Sequence, residues 1–274
     1  MKILIAGAPK TGTTGLFYKI KNSMPGGDRV RTLFEPSHYS PEPGDEQTGV
    51  LAKVLIDRPD LNLPSFQHFD KKIALIRDPR DRVISALLYG MGYHSPYVLE
   101  DEKVYQIVRI LRQKEEDSTS ISVLQIIQTH WQFSNRVATP EAIAQVHKNR
   151  IDQLDRFYSA HQDFYLVKYE DFVSGNLDGL EQYLGFPLEG AATVDSQFQR
   201  VVRTRGAGDW KNWFLEEDVQ FFYPILAQFV EKYGYDTSWE LPPIQKIMPQ
   251  HSSQYYIRLI NEMRGLILRS QVST

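Results

Sequence analysis

The sequence predicts a three-layer α/β fold, in which helices flank a central parallel sheet of about five strands and a helical tail follows. Strand-like segments alternate with helical patterns along the chain, as in parallel sheets covered by helices. Segments 3–6 and 73–76 are continuously apolar, which is typical of central parallel strands buried on both faces. The chain has 274 residues, of which 42% are hydrophobic, and this is enough for a sizeable core.

The separate elements follow from the spacing of apolar residues. Strands are expected at 2–6, 29–34, 50–56, 72–77 and 163–168. Helices are expected at 13–22, 80–91, 121–137, 141–159, 170–184 and 216–233. Prolines and glycines predict a loop over 35–49, and the mixed charges within 94–120 indicate a solvated helix face and a turn.

The end of the chain has its own pattern. After Pro242 and Pro243, apolar side chains recur at helical spacing between Tyr256 and Ile267. We therefore expect a domain at 1–243 and an amphipathic helical extension at 244–274. Docking of this helix on its own domain is the favoured interpretation, and a homodimer contact or a lid over an acceptor pocket are the alternatives.

Charge and composition exclude several classes of protein. The net charge is −3, so no general basic field favours nucleic acid or an anionic membrane. The chain has no cysteine and therefore no disulfide, catalytic thiolate or Cys-ligated zinc. No apolar run reaches the ~18 residues of a spanning helix. Because the first strand begins at residue 2, we expect a soluble, cytoplasmic protein without a signal peptide or membrane anchor.

The most informative segment directly follows the first strand. It reads Pro9-Lys10-Thr11-Gly12-Thr13-Thr14. A strand, a glycine turn and a helix start gather backbone N–H groups around one point, an arrangement that binds anions. Counted from Gly7, the spacing is that of a nucleotide-phosphate loop, which normally continues with lysine and Ser/Thr. Here the lysine is at position 10, so hydrogen bonds and one cation are expected to bind the anion, without a metal.

A second motif spans the end of the fourth predicted strand and the next helix. Arg77 ends the strand, at the edge of the sheet where open α/β folds bind ligands. Ser85 lies about two turns along the helix that Pro79 begins. Arg77 and Ser85 could converge on one phosphate. Alternatively, Arg77 pairs with Asp78 or Asp81 and Ser85 is an ordinary helix-surface residue.

A third motif is the segment 203–214, which is rich in arginine, glycine and tryptophan. Arg203, Arg205 and Gly206 suit a loop that grips a phosphate, because glycine lets the backbone approach a ligand closely. The alternative is a surface turn with Trp210 and Trp213 in the core, and for the tryptophans we favour the core.

Together the three motifs resemble those of the PAPS-dependent sulfotransferase family (PAPS is 3′-phosphoadenosine 5′-phosphosulfate). Segment 9–14 is similar to the family's PKSGTT loop for the 5′-phosphosulfate. Arg77 and Ser85 are similar to its 3′-phosphate signature, and 203–212 resembles its late R-K-G-x-x-G-D-W-K-N segment. The resemblance implies a P-loop-type fold and transfer of a sulfuryl group from PAPS to a hydroxyl or amine of a small-molecule, lipid or carbohydrate acceptor. The product would be PAP, adenosine 3′,5′-bisphosphate, and no metal would be required.

The resemblance is not complete. Without a gap, Arg203 falls on the family arginine, whereas a one-residue gap places Arg205 and Gly206 in the motif. Gly15 stands where cytosolic relatives often have a tryptophan that stacks on adenine. Tyr169 is similar to a family Tyr-Glu-Asp element near the base, and its alternative role is that of a half-buried aromatic residue at a helix start.

The resemblance also suggests how the reaction is catalysed. Lys10 would neutralise the bridging and leaving oxygens. Cytosolic members use the histidine of a Lys-Thr-His segment as the base, but here Lys53 is followed two positions later by leucine. Glu35 is similar to the glutamate of carbohydrate-type members and is our candidate base, with a salt-bridged structural carboxylate as the alternative. Lys53, Asp57 and His38 are reserves.

Two other functions remain open. A nucleotide or small-molecule kinase would share the loop geometry, but it would normally need Mg²⁺ and a lysine after the second glycine. A non-catalytic adenosine-bisphosphate-binding protein would keep the pocket and lack the base.

Overall fold

Five parallel strands form one sheet in the order β2-β3-β1-β4-β5. The strands are β1 (Lys2–Gly7), β2 (Arg31–Phe34), β3 (Val50–Leu55), β4 (Lys71–Ile76) and β5 (Tyr165–Lys168). The α/β class and all five predicted strands are confirmed. Gly7 at the end of β1 pairs with Leu55 and Leu75, so the carboxyl ends of three strands lie side by side. This edge is where parallel sheets bind ligands.

This computed structural model describes residues 1–272, with the side chains of all of them except Gln197 and residues 270–272. The chain divides into two units. The first comprises Met1–Asp78 and Leu154–Gln199, and the second comprises Pro79–Gln153 and the residues from Arg200 onward. Residues 273 and 274, which end the predicted helical extension, lie outside the described residues. The predicted domain boundary at 243 stays a prediction.

Eleven α-helices lie within residues 1–272. They are α1 (Thr13–Lys21), α2 (Asp45–Thr48), α3 (Pro79–Tyr93), α4 (Asp101–Glu116), α5 (Val123–Phe133), α6 (Pro140–Ala160), α7 (Tyr169–Ser174), α8 (Asp178–Leu184), α9 (Trp210–Trp213), α10 (Glu216–Lys232) and α11 (Ser253–Val272).

In the first unit, helices pack directly on the sheet. α1 contacts β1 and β3, and α7 and α8 contact β5. The single helix expected over 170–184 is interrupted between α7 and α8. Gly175 has a φ of 82°, a left-handed conformation that ends α7 and that residues other than glycine adopt at a cost.

In the second unit, α3 is the central element. α5, α9, α10 and α11 all contact it. The tail helix α11 buries Tyr256, Leu259 and Ile260. It lies close to α3 because Gly92 has no side chain, and a Cβ there would be only 2.6 Å from the Cβ of Leu259. The tail therefore docks within its own unit, and a dimer contact stays a prediction.

Two further observations complete the fold. Trp210 and Trp213 are both buried, which confirms the core interpretation of the two tryptophans. Among the described residues, no helix has the length and apolar character that crossing a bilayer requires.

Candidate functional site

The segment between β1 and α1 forms a tight loop. The N–H and the hydroxyl of Thr11 both donate to the carbonyl of Ala8, over 3.3 and 2.7 Å. Gly12 follows with a φ of 94°, and α1 begins at Thr13. The first N–H groups of a helix have no intrahelical acceptor and carry the positive end of its dipole. The loop and the start of α1 therefore form a place where an anion can bind.

Arg77 and Tyr169 lie against this loop. The guanidinium carbon of Arg77 is 4.3 Å from the ring centroid of Tyr169, and its Nη1 donates to the carbonyl of Lys10 over 3.2 Å. The ring of Tyr169 packs on Gly12, where a Cβ would overlap ring atoms. Gly12 is thus required both by its positive φ and by this contact. The structure brings together three features that the sequence assigned to one site.

Two candidate catalytic side chains stand on unusual backbone. Among the described residues other than glycine, positive φ angles occur at Lys10 (69°), Glu35 (56°) and Asn135 (55°). Asparagine adopts this backbone conformation readily. For lysine and glutamate the same conformation reduces the stability of the folded state by of order 1–3 kcal/mol per residue. Such strain concentrates at functional sites, where the surrounding structure maintains it.

Glu35 is joined to the loop through a buried lysine. The ammonium of Lys53 pairs with the carboxylate of Glu35 and donates to the hydroxyl of Thr14 over 3.3 Å. It also lies 4.1 Å from the ring centroid of Phe34. Burial lowers the pKa of Lys53, and the opposing charge of Glu35 offsets only part of this effect. Lys53 therefore has a structural place beside the candidate base, although we had expected it only as a reserve.

The other reserves are placed differently. His38 is exposed, and its Nδ1 lies 3.2 Å from the hydroxyl of Ser37. Asp57 is in the turn that follows β3. Neither belongs to the hydrogen bonds that join Glu35, Lys53 and Thr14.

Glu170 is a residue that our sequence reasoning missed. Its Oε1 accepts the N–H of Asp78 over 3.0 Å, directly after Arg77. Its buried Oε2 has no hydrogen bond among the described residues. Burial raises the pKa of Glu170 to about 6. Only its place in the Tyr-Glu-Asp segment could have drawn attention to it.

Phe172 is the second missed residue. Its ring lies over Gly15, where a Cβ would be 3.1 Å from Cε1. Tyr169 contacts Phe172 edge to face at a centroid distance of 6.3 Å. Two aromatic rings of α7 thus lie beside the start of α1.

The remaining predicted residues belong to the second unit. Ser85 lies on α3 and is buried. Arg203 is also buried, and its Nη1 donates to Asp209 over 2.6 Å and to the carbonyl of His251 over 3.3 Å. Its Nε and Nη2 make no hydrogen bond to any described residue. This pair of donors is the edge that binds phosphate or carboxylate in two parallel hydrogen bonds. Arg205, in contrast, is exposed.

Asp81 holds the loop that contains Gly206. Its fully buried carboxylate accepts the N–H groups of Gly208 and Trp210, over 2.7 and 2.8 Å. We had considered Asp81 only as a partner for Arg77. A search of the described residues finds no cluster of three or more His, Cys, Asp and Glu that could bind a metal ion.

Comparisons with known proteins add a likeness in structure. No family model and no curated protein matches this sequence. Among solved structures, the chain is similar to that of mouse sulfotransferase SULT7A1 complexed with PAP. The identity is 13% and the TM-score 0.48, over 86% of this chain and 85% of the mouse chain. An identity this low does not carry a function from one chain to another.

Proposed function

We propose that this protein is a PAPS-dependent sulfotransferase. It transfers a sulfuryl group to a hydroxyl or amine of a small-molecule, lipid or carbohydrate acceptor and releases PAP. The observation that carries this proposal is the hydrogen-bonded series Thr14–Lys53–Glu35, which joins an anion-binding loop to a carboxylate. The strained backbone of Lys10 and Glu35 supports the same assignment.

The first unit supplies the groups for the phosphosulfate. Lys10 and the loop 9–14 hold it, and Arg77 beside the loop reaches the 3′-phosphate. Each charge-assisted hydrogen bond of this kind contributes ~1.5–3 kcal/mol. Since the net charge of the chain is negative, binding depends on these local cations and amides.

The sequence motifs name further candidates for the 3′-phosphate. They are Ser85, Arg203, Arg205 and Gly206, and their assignment rests on the motifs in the sequence. Within this set we favour Arg203 over Arg205. Its Nε and Nη2 are buried donors without a hydrogen bond to the described part of the chain, and an anion would satisfy them.

PAPS supplies an activated sulfuryl group, whose bond to the phosphate oxygen breaks as the acceptor oxygen bonds to sulfur. Glu35 takes the proton of the acceptor, a role that typically gives ~10²–10⁴ in rate. Lys10 neutralises charge on the leaving phosphate. Transfer of this kind passes through a loose, in-line transition state, as phosphoryl transfer does. Most of the rate enhancement therefore comes from correct positioning of the reactants and from neutralisation of charge.

Aromatic residues of α7 suit the adenine. We assign Tyr169 and Phe172 to it, because both rings lie at the start of α1 and Phe172 covers Gly15. A carboxylate base favours an aliphatic or carbohydrate hydroxyl, which is less acidic than a phenol. The cytoplasmic location and a homodimer remain predictions from the sequence.

The test is transfer from radiolabelled PAPS to a panel of alcohols, sugars, phenols and amines, with ATP and Mg²⁺ as a parallel donor. We expect labelled product when PAPS is the donor and no turnover when ATP and Mg²⁺ replace it. Turnover with ATP and Mg²⁺ alone would instead indicate a kinase. Tight binding of PAP without transfer to any acceptor would indicate a non-catalytic binder.

A further inference from the structure

Arg58 lies in the turn after β3 and makes two kinds of contact. Its Nε and Nη2 donate to the two carboxylate oxygens of Asp60, over 2.9 and 2.5 Å. Its Nη1 donates to the backbone carbonyl of Glu35. The bidentate pair with Asp60 fixes the plane of the guanidinium, so the third donor has a fixed direction.

The carbonyl that Arg58 contacts belongs to a strained residue. Glu35 has a φ of 56°, which places its backbone in the left-handed region. Its N–H donates to the carbonyl of Lys53 over 2.7 Å. Both polar backbone atoms of Glu35 are therefore held, one by the neighbouring strand and one by Arg58.

The same arrangement occurs at Lys10. Its φ is 69°, and its carbonyl accepts a hydrogen bond from Nη1 of Arg77. Asn135, the third residue with positive φ outside glycine, is of a type that adopts this backbone readily. Glu35 and Lys10, the two strained residues that are not of such a type, thus each accept a hydrogen bond from an arginine at their backbone carbonyl.

The direction of the Glu35 side chain depends on this backbone. A change of Glu35 to the extended region would turn its Cβ and carry the carboxylate away from the ammonium of Lys53. We propose that Arg58 is a positioning residue, which keeps Glu35 in the left-handed conformation and its carboxylate against Lys53. The consequence for catalysis rests on the proposed function, but the effect on the backbone does not.

The first test is a stability cycle that needs no activity. We expect Arg58→Ala to lower the urea midpoint of unfolding in the natural background and by nearly as much in Glu35→Gln, which keeps the strained backbone. In Glu35→Gly the midpoint should fall further, because glycine adopts positive φ without strain and only the hydrogen bond is lost. With Glu or Gln at position 35, relaxation of the strained backbone after the loss of Arg58 offsets part of that hydrogen bond.

Arg264 provides a matched control. It donates to the carbonyl of Val98 over 2.8 Å and to Asp101 over 2.7 Å, and Val98 is not among the residues with positive φ. Arg264→Ala should shift the midpoint equally in all three backgrounds. If Arg58→Ala also shifts it equally in all three, Arg58 does not hold the backbone of Glu35 and the proposal is wrong.

The second test is kinetic. Arg58→Ala should lower kcat by about 10- to 100-fold through misplacement of Glu35, and it should change the KM for PAPS less than about twofold. Arg58→Lys can still donate to the carbonyl and should recover part of the loss. A rise in the KM for PAPS with unchanged kcat would contradict the proposal. If the natural protein transfers no sulfuryl group, the proposed function fails, and the stability cycle still decides whether Arg58 holds Glu35.

Discussion

At the scale of single residues, Lys10 and Glu35 stand out because their backbone conformations are strained and lower the stability of the fold. Both have positive φ without being glycine or asparagine. A chain selected only for stability would place glycine at such positions. We interpret their presence as a requirement for an ammonium and a carboxylate at these two points.

Lys10→Gly should therefore separate stability from activity. Removal of the left-handed strain should raise the free energy of unfolding by ~1 kcal/mol, while loss of the ammonium should nearly abolish turnover. Urea unfolding and steady-state kinetics measure the two effects. Asn135→Gly is the control and should gain less stability without losing activity. A destabilised Lys10→Gly would show that the residue is structural.

Glu35→Gln removes the candidate base and keeps its shape. We expect kcat to fall by ~10²–10⁴, while the affinity for PAP stays unchanged because the role proposed for Glu35 is toward the acceptor and not the nucleotide. Kinetics with PAPS and calorimetry with PAP measure the two quantities. A variant that retains full kcat would leave Glu35 as a salt-bridged structural carboxylate.

Glu170 makes stability depend on pH in a defined direction. Its pKa is raised from 4.5 to about 6 in the folded protein, so the native state binds a proton more tightly than the unfolded state does. Its contribution to stability is therefore complete below pH 4.5 and is lost as the pH rises through 6.

Glu170→Gln should remove this dependence, because glutamine keeps an acceptor for the N–H of Asp78 and carries no charge. At pH 7.5 the variant should be more stable than the natural protein by ~2 kcal/mol, from 1.36 kcal/mol per pKa unit. Near pH 4.5 this advantage should be gone. Urea unfolding at both pH values is the measurement, and an advantage that grows on acidification would refute the assignment.

At the scale of elements, Asp81 on α3 connects the third motif to a helix of its own unit. Its carboxylate is the shared acceptor of two backbone N–H groups in the segment 208–210. A buried acceptor of this kind satisfies two backbone N–H groups where the loop enters α9, and it thereby fixes the end of the loop.

Asp81→Asn should therefore loosen the loop. An amide cannot accept both N–H groups in the same geometry, and one unsatisfied donor costs ~1–3 kcal/mol. Urea unfolding should show this loss, and trypsin should cleave faster after Arg205. Asp163→Asn, which removes an exposed partner of Lys72, is the control and should change stability by less than ~1 kcal/mol. Equal behaviour of the two variants would show that Asp81 does not hold the loop.

The sequence predicted strands better than it predicted contacts. Apolar runs that end at turns identified all five strands, because buried parallel strands leave a local signal. The break at Gly175 was missed, since the helical spacing of apolar residues continues past it. The contacts of Lys53 and Arg58 with Glu35 depend on the register of β2 against β3, in which Phe34 pairs with Lys53. No local pattern encodes that register.

At the scale of the whole molecule, the chain carries a net charge of −3, so the anion binding that we propose depends on local groups. The first unit has the loop 9–14 with Arg77, and the second has the buried donor edge of Arg203. The sequence motifs predicted these residues. The residues that contact them and fix their position could be identified only from the structure.

Calorimetric titration with PAP and with AMP tests the central claim most directly, because the two nucleotides differ only in the 3′-phosphate. One or two additional charge-assisted hydrogen bonds, each worth ~1.5–3 kcal/mol, should make PAP bind at least about tenfold more tightly. Equal affinities for the two nucleotides would contradict the account.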